Sequence, residues 1–373
     1  MEHLVIKPTL ACTAKCPTCA YRRQLYRQVR NQRELSFEDW KRVLSEARDL
    51  GAWHLTISGG EPTLYKQLPD LIKIGRRYAW LVRLNSNGSI RDEVYAEELV
   101  RAGLDVVDIS LYSPIPAVHD AMRGTEGLWQ KATAAISFFG GLRKKYPGFN
   151  VITQTILCRE NYRDFAELLT LHYDLGSSGI LISYLEGDFE KKHLFETQEI
   201  NYFTSNVLPK AISICEKLDP YVREAAVCRV KQIFSEEVLE TTQWANGVYR
   251  PERGICTIPQ KQALILANGD VHPCNIVEYA HEPIMGNLFE QSLTDIWQSV
   301  KWENFRQHLH EYCKLCPMNH HVFIPLRAEN KWIGIAKLWM QRLYLNRVEE
   351  FVYPKIKEYK MKILGQIRKN SIY

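Results

Sequence analysis

Apolar positions between residues 3 and 185 follow two rhythms. Compact apolar runs near His3–Thr9, His54–Ile57, Val82–Asn85, Val106–Leu111, Val151–Leu157 and Gly179–Leu185 predict strands. Between them, apolar side chains recur at helical spacing near Phe37–Leu50, Gln67–Tyr78, Arg91–Ala102, Leu128–Lys145 and Asp164–Leu175. The first of these helices is fully signposted. Ser36 is placed to cap it, Phe37, Trp40, Val43, Leu44 and Ala47 share one face, and Gly51 stops it. Apolar strands separated by amphipathic helices predict right-handed βαβ units around a parallel sheet. The loops that follow the strands then gather at one rim, where ligands are met.

Past residue 190 the pattern weakens. Residues 190–250 have helical periodicity without a chemical motif, and Cys158, Cys215 and Cys228 lack metal spacing, which suits small buried side chains. Asn268-Gly269 between apolar runs predicts a tight hairpin, Gln262–Leu266 turning into Val271. A helix over Leu293–Leu309 follows. The division that results is 1–189 for the strand–helix core, 190–250 for a helical bridge, 251–322 for a cysteine-bearing extension and 323–373 for a helical tail.

Composition narrows the class. Of 373 residues, 46% are hydrophobic and 24% charged, ordinary values for a globular chain with a sizeable core. No stretch of about 18 uninterrupted apolar residues marks a spanning helix, and the first residues lack a secretory pattern. Ten cysteines are too few for a disulfide scaffold of this length, and their clustering points to metal in a reducing cytoplasm. The net charge of +5 is unevenly placed. Residues 331–373 hold ten Lys/Arg against three Glu, so the rest of the chain is close to neutral. That tail reads as helices packed on the core, or as a basic amphipathic surface for an anionic membrane or a partner. Charge alone does not make a nucleic-acid site, and no binding motif supports one.

The chemistry concentrates in Cys12-Thr-Ala-Lys-Cys16-Pro-Thr-Cys19, directly after the first strand. Three thiols this close suit an iron–sulfur cluster with one iron left open, a zinc site completed from afar, or a redox dithiol. Ser58-Gly-Gly-Glu-Pro62 closes the second strand, and its glycines would let a ligand approach the backbone. Asn85-Ser-Asn-Gly88, Ile109-Ser-Leu-Tyr112 and His119-Asp-Ala-Met-Arg-Gly124 follow in order. A loop with Arg22, Arg23, Arg27, Arg30 and Arg33 and no acid reads as a solvated loop or as a clamp for an anionic substrate. Farther on, Cys256, Cys274, Cys313 and Cys316 have a spacing open to a zinc ribbon or a second cluster.

Taken together these motifs resemble the radical S-adenosylmethionine (radical SAM) superfamily over residues 3–185 and 250–317. The resemblance implies a partial (β/α)6 TIM-like barrel, open on one side, with a small α+β twitch-type iron–sulfur extension and a C-terminal helical tail. It implies that Cys12, Cys16 and Cys19 hold a [4Fe-4S] cluster whose fourth iron is chelated by S-adenosyl-L-methionine. It further implies that Gly59, Gly60, Glu61 and Pro62 meet the methionine amino group, and that Ser110 and Arg123 meet its carboxylate. Asn85 or Asn87 would meet the ribose or methionine moiety. Thr18 departs from the aromatic residue often found before the third cysteine, and Tyr21 is a substitute. The later cysteines resemble a shortened SPASM, or twitch, extension, with Cys256, Cys274, Cys313 and Cys316 on an auxiliary [4Fe-4S] cluster. Four cysteines saturate such a cluster, which suits electron transfer.

The activity implied is reductive cleavage of S-adenosylmethionine to a 5′-deoxyadenosyl radical that takes a substrate hydrogen, with electrons from an external flavodoxin- or ferredoxin-type donor. Tyr184 and Glu186, with Asp188, end the sixth strand and are candidates for proton transfer. Only eleven residues precede the first cysteine, which favours a small sugar- or cyclitol-like substrate. The alternative is a ribosomally made peptide to be cross-linked or epimerised. A rival of another class is a non-catalytic zinc- or iron–sulfur-binding protein that keeps the fold.

Overall fold

The computed structural model of the protein describes residues 1–19, 32–79, 81–184, 193, 195–216, 258–274 and 284–312. Its first half is the expected alternation: β1 (His3–Lys7), α1 (Phe37–Asp49), β2 (His54–Ile57), α2 (Leu68–Tyr78), β3 (Leu81–Ser86), α3 (Glu93–Ala102) and β4 (Val106–Ser110). Then come α4 (Pro116–Arg123), α5 (Leu128–Lys145), β5 (Asn150–Leu157), α6 (Phe165–Asp174) and β6 (Gly179–Tyr184). Ser36 does cap α1, as the side chain of a capping box with Asp39, and Trp40, Val43, Leu44 and Ala47 are its buried face. Helix α4 carries no periodic signal long enough to be read in advance. Ile115-Pro116 opens it and Gly124, at φ 60°, closes it.

β1 to β6 pair in sequence order and in parallel, so every βα loop emerges at the same rim. Strand alternation divides inside from outside. Val82 and Leu84 on β3, and Val107 and Ile109 on β4, join the apolar layer packed beneath the helices. Their neighbours Arg83 and Asp108 face the opposite way and pair with each other, Arg83 Nη2 donating to Asp108 Oδ1 at 2.8 Å. The barrel interior is therefore polar over much of its wall, with Val5, Leu264 and Leu266 as a small apolar patch.

The remaining described elements are α7 (Thr197–Tyr202), α8 (Leu208–Glu216), α9 (Ile258–Lys261), β7 (Gln262–Leu266), β8 (Asp270–His272), β9 (Gly286–Asn287), α10 (Leu293–Trp297), α11 (Val300–Gln307) and α12 (Leu309–Tyr312). The expected hairpin is β7–β8, turned at Asn268-Gly269 with Gly269 at φ 84°. It continues the barrel sheet: β7 runs parallel to β1, with His3 opposite Gln262 and Lys7 opposite Leu266. The sheet thus has nine strands in the order β6-β5-β4-β3-β2-β1-β7-β8-β9.

The single helix expected over Leu293–Leu309 is broken. Ser299 Oγ accepts from Trp302 N at 3.1 Å and starts a new helix, after Ser292 has capped the previous one. The break lets Trp302 turn inward, where its Nε1 donates to Pro259 O at 3.0 Å. Glu46 on α1 accepts from Leu293 N at 2.6 Å, a carboxylate at a helix N-terminus that ties this region to the barrel. Among the described residues, no helix is long and apolar enough to cross a membrane.

Candidate active site

Backbone contacts with the turn after β2 and with the end of α4 shape the loop that carries Cys12, Cys16 and Cys19. Gly60 N donates to Thr9 O at 3.0 Å and Glu61 N to Ala11 O at 2.7 Å. A Cβ on Gly59 would lie 2.4 Å from Thr9 O, and one on Gly60 would lie 2.3 Å from Ala11 O. The two glycines make room for the cysteine loop's own backbone, and Gly60 N–H is committed to Thr9 O. On the other side Lys15 N donates to Arg123 O at 3.0 Å, and a Cβ on Gly124 would lie 2.2 Å from Lys15 O. Cys12 is exposed at the rim, while Cys16 and Cys19 are half-buried.

Glu61 is fully buried. Its carboxylate accepts from Asn87 N at 2.7 Å, Ser86 Oγ at 2.9 Å and Thr63 Oγ1 at 2.8 Å. Burial lifts its pKa, against the pull of these donors. Glu61 therefore braces the β2 and β3 loops against each other. Asn87 passes that order on, because its Nδ2 reaches Thr13 Oγ1 at 2.9 Å and Cys12 Sγ at 3.7 Å. Thr13 Oγ1 in turn bonds Ser89 Oγ at 2.9 Å.

The sequence His119-Asp120…Arg123-Gly124 is used residue by residue. His119 Nδ1 accepts from Tyr112 N at 3.1 Å, and burial lowers this imidazole to about 3, so it stays neutral. Asp120 accepts from Gly127 N at 2.6 Å and Trp129 N at 2.8 Å, capping the start of α5. Arg123 lies buried with its guanidinium 4.7 Å from the centroid of Tyr112, donating from Nη1 to Tyr112 Oη at 2.7 Å. Its burial alone would favour the neutral form, but Tyr112 and the sulfurs of Cys16, Cys12 and Cys19 outweigh it and hold the charge. One guanidinium thus sits within electrostatic reach of all three thiols. Burial, partly countered by Arg123, keeps the Tyr112 phenol protonated.

Buried polar atoms here without a hydrogen-bond partner include Arg123 Nε and Asn85 Oδ1. Such orphans are costly and mark places where a ligand completes the bonding. Three soft donors on one short loop, a cation beside them and these two orphans fit an iron–sulfur cluster carrying an amino-acid ligand. Ser110, at the end of β4, is half-buried and close to the Tyr112 phenol. Tyr184 ends β6 at the same rim. Cys274 is half-buried two residues beyond β8. Glu186, Asp188, Tyr21, Arg22 to Arg30, Cys228, Cys256, Cys313, Cys316 and the basic tail lie outside the described residues. Sequence reasoning missed Asn161, whose Nδ2 donates to Tyr112 O at 2.7 Å, and gave Tyr112 no part in the site. Nothing in local pattern announces contacts between loops so far apart.

The fold and this rim are those of a radical SAM protein. Residues 6–172 match the radical SAM superfamily, and residues 256–317 match the SPASM iron–sulfur cluster-binding domain. The chain is a radical SAM enzyme with a SPASM domain, and its cofactors are iron–sulfur clusters and S-adenosylmethionine. It is similar to a PqqA peptide cyclase of Streptomyces rochei, 27% identical over 325 residues that cover 85% of this chain and 82% of the relative. A PqqA peptide cyclase of Gluconobacter oxydans (strain 621H) is 25% identical over 337 residues, covering 89% and 84%. Among solved structures, Streptococcus suis SuiB superposes with a TM-score of 0.60 at 17% identity, covering 88% of this chain and 74% of that one. SuiB bound to its precursor peptide SuiA gives a TM-score of 0.55 at 16% identity, covering 88% and 73%.

Proposed function

We propose that this enzyme modifies a ribosomally made peptide by removing a hydrogen atom from it, forming a cross-link or inverting a centre. The observation that carries the reading is similarity along most of the chain to proteins named as peptide cyclases. The peptide complex of SuiB supports it at the level of fold. These similarities favour a peptide over the small sugar- or cyclitol-like substrate expected from sequence.

In this reading Cys12, Cys16 and Cys19 hold the open cluster. The Gly59–Pro62 segment receives the amino group of S-adenosylmethionine, Ser110 and Arg123 its carboxylate, and Asn85 or Asn87 its ribose or methionine portion. When bound, cluster and S-adenosylmethionine supply a radical able to take hydrogen from an unactivated C–H bond. The protein's own residues order the loop, hold a positive charge beside the thiols and present the substrate at a polar, rim-facing barrel interior. Cys256, Cys274, Cys313 and Cys316 hold the auxiliary cluster, whose saturation by four thiolates suits electron transfer. An external flavodoxin- or ferredoxin-type donor reduces the open cluster, whose Cys12 is exposed. The basic residues of 331–373 support contact with an anionic membrane surface, checked by salt-reversible co-sedimentation with anionic vesicles.

The test is mass spectrometry of a short precursor peptide encoded beside the gene, after incubation with reduced, cluster-loaded protein. Loss of a pair of hydrogen atoms reports a cross-link, and deuterium taken from heavy water at one α-carbon reports epimerisation. An unmodified peptide alongside turnover of a small polyol would sink the reading. Cys16→Ala must abolish 5′-deoxyadenosine formation in either case.

A further inference from the structure

Tyr112 occupies an unusual position at the rim. Its own backbone is held from both sides, N–H donating to His119 Nδ1 at 3.1 Å and C=O accepting from Asn161 Nδ2 at 2.7 Å. Asn161 cannot drift, because Nδ2 also donates to Ile156 O at 2.8 Å and Oδ1 accepts from Cys158 N at 2.9 Å. The tyrosine is therefore a fixed post joining the β4 loop, the β5 loop and α4. Against it rests Arg123, bonded through Nη1 to the phenol oxygen and stacked over the ring.

A guanidinium has two useful edges. Tyr112 takes Nη1, which leaves the edge formed by Nε and Nη2, the one that grips a carboxylate in two places. Nε is buried and has no partner, so that edge lacks its acceptor. The phenol oxygen bonded to Nη1 and the ring beneath the guanidinium fix the plane of that fork.

We propose that Tyr112 is a positioning residue which orients Arg123 so that its Nε/Nη2 edge receives the carboxylate of S-adenosylmethionine. This rests on the reading of Arg123 as the carboxylate's partner. Tyr112 touches neither ligand nor cluster in this role and acts through Arg123, with Ser110 also beside its phenol.

The experiment uses full-length, cluster-loaded protein and two probes, S-adenosylmethionine and its decarboxylated analogue, with binding measured by equilibrium dialysis. Tyr112→Phe keeps the ring under the guanidinium and removes only the hydroxyl that meets Arg123 and Ser110. S-adenosylmethionine should bind about tenfold more weakly to this variant, the usual effect of losing a hydrogen bond to a charged group. The decarboxylated analogue should bind almost as before. Equal weakening of both probes, an unchanged preference, or loss of iron from Tyr112→Phe overturns the proposal. Arg123→Lys separates it from the reading beneath. If that variant keeps the full preference for S-adenosylmethionine over the analogue, the carboxylate assignment fails and Tyr112's role fails with it. If Arg123→Lys erases the preference while Tyr112→Phe leaves it intact, only the role of Tyr112 falls.

Discussion

Glu61 and Asn87 meet through a 2.7 Å bond from backbone N–H to carboxylate, and through it the second βα loop sets the third. From Asn87 the contact continues to Thr13 and Cys12. The acidic residue of the Gly-Gly-Glu-Pro turn is thus a structural keystone for the cysteine loop. Glu61→Ala leaves the Asn87 and Thr63 N–H groups without an acceptor in a fully buried place. That variant should lose about 3 kcal/mol of stability in denaturant titrations, while Glu61→Gln, which keeps one acceptor oxygen, should lose about 1. Indistinguishable midpoints for the two variants would contradict a carboxylate brace.

The second prediction separates the two clusters. Replacing both Cys313 and Cys316 by Ala should lower iron content by about half, since four irons belong to each site. Formation of 5′-deoxyadenosine without substrate should persist, because that step needs only the open cluster, whereas modified peptide should disappear. Normal product from the double variant would remove any required role for the auxiliary cluster.

A third prediction concerns acid. Burial holds the imidazoles of His3, His54 and His172 below their usual value, His3 at about 4 and His172 at about 3. His3 and His54 stack at 3.9 Å, and His172 is hydrogen-bonded to Thr153. In the unfolded chain each takes a proton near 6.5; in the fold each remains neutral until lower pH. Their contribution to stability is complete above 6.5 and is lost as pH falls from there toward the folded values. Stability should therefore decline between pH 6.5 and 4, each site adding up to about 1.4 kcal/mol per pH unit. Unfolding midpoints at stepped pH values check this, and His172→Gln should flatten the slope by one site's share. An unchanged slope in His172→Gln would show that this ring is not held neutral.

Much of this architecture was legible in the chain because its causes are local. Ser36, the apolar face from Trp40 to Ala47 and Gly51 define a helix wherever it is placed. The order of cysteine loop, Gly-Gly-Glu-Pro turn and Arg123 follows from the βα rhythm, since parallel strands deliver every such loop to one rim. What pattern does not encode is which element lies beside which. The run Gln262–Leu266 was readable as a strand, but its pairing with β1 depends on the shape of a finished sheet. Ser299 was invisible as a helix break because Trp302 finds its partner at Pro259, across the fold. The glycines of residues 59 and 60 were legible as sites of close approach, whereas their packing against Thr9 and Ala11 was not. Tyr112 had no role legible in its motif, because its anchors are His119 and Arg123 on α4 and Asn161 beyond β5.

The last prediction uses two glycines that share a conformation and differ in their neighbours. Gly124 and Gly127 both have positive φ, 60° and 74°, so an alanine at either is strained to a similar degree. Around Gly127 a Cβ would meet nothing within 4 Å, whereas at Gly124 it would lie 2.2 Å from Lys15 O and 2.7 Å from Lys15 C. Those are backbone atoms between Cys12 and Cys16, and they cannot swing aside as a side chain can. Gly127→Ala should therefore cost about 1 kcal/mol in stability and keep its iron. Gly124→Ala must displace the cysteine loop, so the open cluster should load poorly and 5′-deoxyadenosine formation should fall with it, while the auxiliary cluster remains. Iron analysis and the electron paramagnetic resonance of the reduced protein distinguish the two sites. If Gly124→Ala keeps both clusters as Gly127→Ala does, the helix end at Gly124 is not what seats the loop. A loss confined to the open cluster instead ties its assembly to a single contact between α4 and Lys15.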